Sequence, residues 1–198
     1  ARPAANGNPA VMTLRLIAVC LLVFAATLSP GTSDAAEIDG IFFSDTTRAG
    51  PHELIIAGAG LARRLLFKVF AGAFYLEEGR NAEDRFEDVP RKLVLEYYRP
   101  ISGAAFAEST EVSLQRSLTE AELSATRDDL DRLKAAFKPV VKGDRYCLTH
   151  VPGEGMTLCL NDEEEARFTD PAFINAVFGI WLGDNPIDEA FKRAALGL

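Results

Sequence analysis

Cys147 and Cys159 are the two residues of this sequence best spaced for a covalent reaction with each other. They flank a Pro152–Gly155 turn, and in a hairpin centred on Gly153 positions whose numbers sum to 306 lie opposite, as 147 and 159 do. Directly opposed residues on neighbouring strands come close enough to form a disulfide. Closing that thirteen-residue loop would add roughly 3 kcal/mol in the chain-entropy model. A reduced pair of core cysteines is the alternative, and a one-residue register error would separate the two thiols. No CxxC is present to make the pair redox-active. The two histidines, His52 in a Gly-Pro turn and His150 near the hairpin tip, lack any spacing to Cys or carboxylates that suggests a metal, and both read as surface residues. No nucleophile–base arrangement supports serine- or cysteine-type hydrolysis. A glycine-rich Gly58-Ala59-Gly60 follows a strand, but apolar strand rather than helix comes after it, so its amides are not aimed at a phosphate. It reads as a tight sheet corner. Neither a metal nor a cofactor is expected.

The address of the chain is written at its N-terminus. From Met12 the sequence runs MTLRLIAVCLLVFAATLSPGTSDAAE, with Arg15 ahead of an apolar run Leu16 to Leu28 and small residues at Ser33-Asp34-Ala35. That pattern reads as a secretory signal peptide, too short for a bilayer span, with an uncleaved anchor as the alternative. Cys20 within it has no assigned role. Residues 1–35 are therefore taken as leader and signal peptide, and 36–198 as a single domain that is not membrane-spanning after cleavage. The expected location is periplasmic or secreted. Without Arg2, Arg15 and Asp34, the formal charge is 19 Lys+Arg against 28 Asp+Glu, or −9. An acidic domain without a basic patch is a poor partner for nucleic acid and for anionic lipid surfaces.

Elements that must position these residues follow from periodicity. Glu37 to Phe43 and Glu53 to Ala57 predict strands, with a polar turn from Ser44 to Pro51 between them. Leu65 to Leu76 holds one charge, Lys68, in twelve residues, so it predicts a strand buried on both faces. After a charged loop, Glu77 to Pro90, Lys92 to Arg99 alternates Leu93, Leu95 and Tyr97 on one face with Val94, Glu96 and Tyr98 on the other. Ser102 is an N-cap for a helix to about Leu118, and Thr119 to Glu122 is a capping box opening a second that Pro139 ends. The cysteine hairpin follows, then acidic residues Asp162 to Glu165 over a turn. Asp170-Pro171 starts a helix bearing Phe173, Val177, Ile180 and Trp181, and a last short helix follows Asn185-Pro186. Strands in runs with helices gathered on one face define an α+β class with a large antiparallel sheet.

Four of these stretches together resemble one family. AGAGLARRLLFKVFAGAFYLEEG, PRKLVLEYYRPISGAAFAE, KGDRYCLTHVPGEGMTLCLN and FINAVFGIWLGDNPIDEAFKRAALG are similar, in order and spacing, to the chalcone isomerase-like superfamily and its exported bacterial members. The resemblance spans about Glu37 to Leu198. It implies an open-faced β-sandwich with a ligand cleft between the large sheet and its helices. Isomerases and fatty-acid-binding relatives of that family place an arginine two residues after the last corner glycine, where this chain has Ala62. Arg63 and Arg64 follow, in register only if the corner carries a one-residue shift. The isomerases' threonine on the next strand matches Phe70, and their tyrosine on the following helix matches Phe106.

Ala, Phe and Phe at three polar positions remove the groups that would stabilise an enolate, usually the largest catalytic contribution in such a reaction. The expectation is an exported, noncatalytic protein that holds a fatty acid or another hydrophobic small molecule in an apolar cleft, with Arg63, Arg64, Lys68, Phe70, Tyr98 and Phe106 as ligand-binding residues. One alternative is an isomerase or intramolecular lyase on a different substrate, drawing on Tyr97, Tyr98, Lys68 and Arg63. Another is an interaction module of the cell envelope, which would need an exposed apolar patch.

Overall fold

The computed structural model describes residues 36–198, so the signal-peptide reading falls outside the described residues. The described residues form one compact unit. Its frame is a seven-stranded antiparallel sheet in simple sequential order: β3 (Thr46–Ala49), β4 (His52–Arg64), β5 (Phe67–Leu76), β6 (Arg91–Tyr97), β7 (Arg145–Val151), β8 (Gly155–Leu160) and β9 (Glu163–Phe168). The large core lies between one face of this sheet and the helices α1 (Gly103–Ser117), α2 (Glu120–Ala125), α3 (Arg127–Ala136), α4 (Pro171–Leu182) and α5 (Glu189–Ala195). A smaller core lies on the other face, where the hairpin β1 (Ala36–Ile38)–β2 (Ile41–Phe43) seats Ile41 and Phe43 against Leu54, Ala71, Ala73 and Tyr75. The class is α+β, with the five α-helices of the described residues on one face.

The local signals that fix the helices are backbone satisfaction at their ends. Ser102 accepts from the Ala105 amide, and Thr119 and Glu122 form the reciprocal capping box. Asp170 caps α4, with Pro171 at its first position. Thr126, at the junction of α2 and α3, divides the single predicted helix in two; its hydroxyl donates back to the Glu122 carbonyl.

The glycine corner is not a corner. β4 continues for thirteen residues through Gly58 and Gly60, with a bulge at Ala57 between Ile56 and Gly58, and the chain turns only at Leu65-Leu66. These glycines are there because a helix lies on them. A Cβ on Gly58 would sit 2.3 Å from the Ala194 carbonyl oxygen, and one on Gly60 would sit 2.7 Å from the Ala194 Cβ. On β5, a Cβ on Gly72 would reach to 2.9 Å from the ring of Phe191. Gly58, Gly60 and Gly72 are thus the seat of α5, a close approach that only glycine permits. The predicted strand from Leu65 likewise begins two residues later, because Leu65 and Leu66 are consumed by the hairpin turn.

Two further strands, β3 and β9, lie where a polar turn and an acidic turn are predicted. Both are the sheet edges, and each buries a single residue, Ala49 and Phe168. Polar outward residues protect an edge from pairing with another chain, and the same residues erase the apolar alternation that announces a strand. Glu37 to Phe43 is a hairpin, not one strand, turning at Asp39-Gly40, both with positive φ. The Glu77 to Pro90 loop contains a 3-10 turn, Ala82–Phe86, capped by Asn81.

Cys147 and Cys159 face each other in the β7–β8 register, with Cα atoms 5.1 Å apart, and are joined as a disulfide. His150 is not a surface residue. It is buried, its Nε2 3.0 Å from Asp88 Oδ1 and its Nδ1 3.2 Å from the Gly155 carbonyl. Its alternation along β7 turns it inward, and the loop before β6 covers it. Burial holds its pKa below the ordinary value, against the pull of Asp88. His52 is half-exposed and pairs with Glu77 at 2.9 Å.

Candidate functional site

A cavity of about 210 Å³ opens between the sheet and the helices. Its floor is Val69, Phe70, Leu93, Leu95, Tyr97 and Tyr146, and its walls come from α1 (Ala105, Phe106, Ser109), from Leu133 and Phe137, and from α4 (Val177, Ile180, Trp181). A bulge shapes the floor. Ala62 pairs with Phe70 but Arg63 pairs with Lys68, leaving Val69 unpaired on β5. Strict alternation would send Val69 and Phe70 to opposite faces; the bulge lets both line the cleft.

Aromatic rings close the inner end. Phe106 meets Tyr97 edge-on at 5.2 Å and Tyr146 at 5.3 Å, and stacks on Phe137 at 5.5 Å. Phe70 packs edge-on against Phe191 at 5.0 Å, which ties α5 to the floor. The Tyr146 hydroxyl is fully used, accepting from the Lys138 amide and donating to its carbonyl. Other donors are not used. The Tyr97 hydroxyl and the Trp181 Nε1–H have no hydrogen-bond partner among the described residues. Burial drives the Tyr97 phenol far above its ordinary pKa, so it stays protonated and can donate. In an apolar cavity, unpaired donors are the groups a ligand oxygen would satisfy.

The outer end is cationic. A second cavity of about 400 Å³ shares Arg64, Val69, Phe70, Ser109 and Ile187 with the first and adds Ala62, Arg63, Arg116 and Asp188. Asp188 is occupied: its carboxylate accepts from the backbone amides of Arg63 and Phe191, both at 2.9 Å. The Arg64 side chain makes no hydrogen bond or ion pair among the described residues. It shares a face of β4 with Ala62, two residues before it, and is the one arginine that lines both cavities.

The six residues read from sequence as ligand-binding therefore divide. Phe70, Phe106 and Arg64 come together at the cleft. Arg63 reaches only the vestibule. Lys68 and Tyr98 do not join them, since alternation puts both on the opposite face, where Lys68 bonds Asp39 at 2.5 Å and the Tyr98 hydroxyl donates to the Ile38 carbonyl at 3.0 Å. Ala62 lines the vestibule rather than the cleft. Of the four polar residues an enzyme was expected to draw on, Tyr97 alone lines the cleft, so those four do not converge there. Tyr146, Phe137 and Trp181 were not singled out as site residues. Each carries an apolar or aromatic signal indistinguishable from core until the helices are placed.

A family model described as chalcone isomerase-like matches residues 35–197. The chain belongs to the chalcone isomerase-like family. No curated protein sequence matches it. Among solved structures, the crystal structure of a fatty-acid binding protein from Arabidopsis thaliana superposes with a TM-score of 0.64 at 16% identity, covering 82% of this chain and 96% of that one. At that identity the likeness establishes the fold. The family's sheet-and-helix sandwich is present here with its cleft on the helix side. Among the described residues no group of three or more His, Cys, Asp and Glu is placed to hold a metal ion, and no helix is long and apolar enough to cross a membrane.

Proposed function

We propose that this chalcone isomerase-like protein is an exported, noncatalytic carrier of a single-chain amphiphile, a fatty acid being the best fit. The acyl chain lies in the cleft and the carboxylate meets Arg64 at its mouth. The carrying observation is the polarity gradient across two adjoining cavities that share five lining residues: the inner one aromatic and aliphatic, with the side chain of Arg64, unpaired among the described residues, lining both. About 210 Å³ is below the roughly 300–1,000 Å³ of ordinary small-molecule sites, which suits a narrow chain better than a polycyclic substrate. The Arabidopsis neighbour is a fatty-acid binder, which supports the same ligand class. Secretion to the periplasm or outside the cell is proposed from the N-terminal sequence pattern alone.

Displacement of a fluorescent fatty acid, with competitors of stepped chain length, tests the reading. Saturable one-to-one binding is expected, and Arg64→Ala should weaken a fatty acid about tenfold to a hundredfold while leaving the matching alcohol little changed, as loss of a charge-assisted hydrogen bond worth about 1.5–3 kcal/mol implies. Absence of saturable binding for both acids and alcohols would sink it.

A further inference from the structure

We infer that the β4–β5 hairpin tip is a docking surface for a lipid bilayer containing anionic lipid, and that it brings the cleft mouth onto that surface. This goes beyond ligand binding in the cleft, because none of the tip side chains lines either cavity.

The tip is Leu65-Leu66-Phe67, with 89%, 90% and 64% of each residue exposed. Three consecutive large apolar residues facing water are not explained by the fold, since none supports either core. Leu65 also holds φ +55°, a left-handed position in a two-residue loop that ordinarily selects glycine or asparagine. The backbone thus accepts strain where a leucine is displayed, and Val112 on α1 and Ile187 add exposed apolar surface at the adjoining vestibule.

Cationic side chains adjoin the tip and the vestibule beside it. Arg63 and Arg64 precede it, Arg99 lies 5.8 Å over the Phe67 ring, and Arg116 faces the vestibule. None of these four forms an ion pair among the described residues, whereas five of the nine other described arginines do, in a chain whose net charge is −8. Lys68 beside them is paired with Asp39, and Asp188 is held by backbone amides. Overall acidity makes the molecule a poor partner for an anionic surface in a random orientation. The local patch reverses the sign for one orientation only, tip first, which steers the cleft mouth toward the membrane. Apolar side chains inserted at the headgroup boundary inside a ring of cations are the recognised combination for reversible surface binding. A protein partner fits less well, since three side chains on a tight turn fall short of the roughly 800 Å² per side of a specific interface.

Cosedimentation of the Asp34–Leu198 unit with vesicles of phosphatidylcholine alone, or with a third of phosphatidylglycerol, tests this. The anionic vesicles should bind about tenfold or more tightly than the neutral ones, and binding should fall steeply at roughly 0.5 M salt. Leu65→Ser combined with Leu66→Ser should lower it about tenfold or more, and Arg99→Ala and Arg116→Ala about fivefold each. The Leu65/Leu66 variant should keep its melting temperature and its affinity for a soluble fatty acid, which separates failure at the tip from failure at the cleft. No vesicle binding by the parent, equal binding by the tip variant, or a tip-dependent dimer in sedimentation equilibrium without vesicle binding would each overturn the inference.

Discussion

Replacing Gly58 by alanine tests the reading of the glycine stripe as a helix seat. The new methyl carbon would lie 2.3 Å from the Ala194 carbonyl oxygen, 2.8 Å from that of Ala195 and 2.9 Å from the Gly197 amide nitrogen. All three are backbone atoms at the end of α5, so no side-chain rotation relieves the contact and the helix end must move. Overpacking of this kind costs about 1–3 kcal/mol, and a backbone obstacle places Gly58→Ala at the upper end. For a domain of this size that is a fall of about 6–12 °C in melting temperature. Because Phe191 on α5 packs on Phe70, displacement should also loosen the cleft floor. Gly179 in α4 is the control: a Cβ there meets nothing within 4 Å and its φ is ordinary. Gly179→Ala should therefore stabilise by about 0.5–1 kcal/mol through helix propensity alone. Differential scanning calorimetry of the two single variants reads both signs. A Gly58→Ala protein melting within about 1 °C of the parent would show that α5 does not bear on β4, and that the glycines serve something else.

Three more outcomes are expected. Replacing Cys147 and Cys159 together by alanine should lower unfolding free energy by roughly 3 kcal/mol, read from urea titrations, since the disulfide closes a loop with sequence separation 12. Burial lowers the folded-state pKa of His150 below the ordinary histidine value of about 6.5, so the unfolded chain binds the extra proton first. Stability should then fall as pH drops through about 6.5 and level off below the folded-state pKa; a His150→Gln variant with the same slope in that window would refute the assignment. The hydrogen-bonded carboxylates Asp144, Glu122 and Glu164, whose pKa values are lowered, act only in the more acid range below about 4.5, so the two regions can be told apart. Tyr97→Phe should weaken a bound fatty acid by a few-fold to about tenfold without loss of melting temperature, as removal of one neutral hydrogen bond implies, and unchanged affinity would place the ligand oxygen elsewhere.

The sequence alone determined whatever rests on local backbone chemistry. Ser102, Thr119, Glu122 and Asp170-Pro171 satisfy helix ends within a few residues of themselves, so α1, α2 and α4 begin where those residues stand. The alternation of Leu93, Leu95 and Tyr97 fixes the inward face of β6, and symmetry about Gly153 sets Cys147 opposite Cys159, because hairpin register is counted from a turn. Four motifs in order were enough for the family. What only tertiary structure decided depends on partners far away in the chain. Gly58 and Gly60 look like turn residues, and Gly72 like an ordinary strand position, until α5, more than a hundred residues later, is seen lying on them. The edge strands β3 and β9 carry polar residues for protection and so hide from periodicity. His150 is inward because the loop before β6 covers it. Arg64 and Tyr97 face the cleft while Lys68 and Tyr98 face away, because side-chain direction follows strand alternation and the bulge at Val69, and neither is visible in residue type. Leu65, Leu66 and Phe67 read as buried strand by composition; exposure comes from the hairpin needing two residues to turn, and apolar character alone does not say which side of the surface a residue lies on.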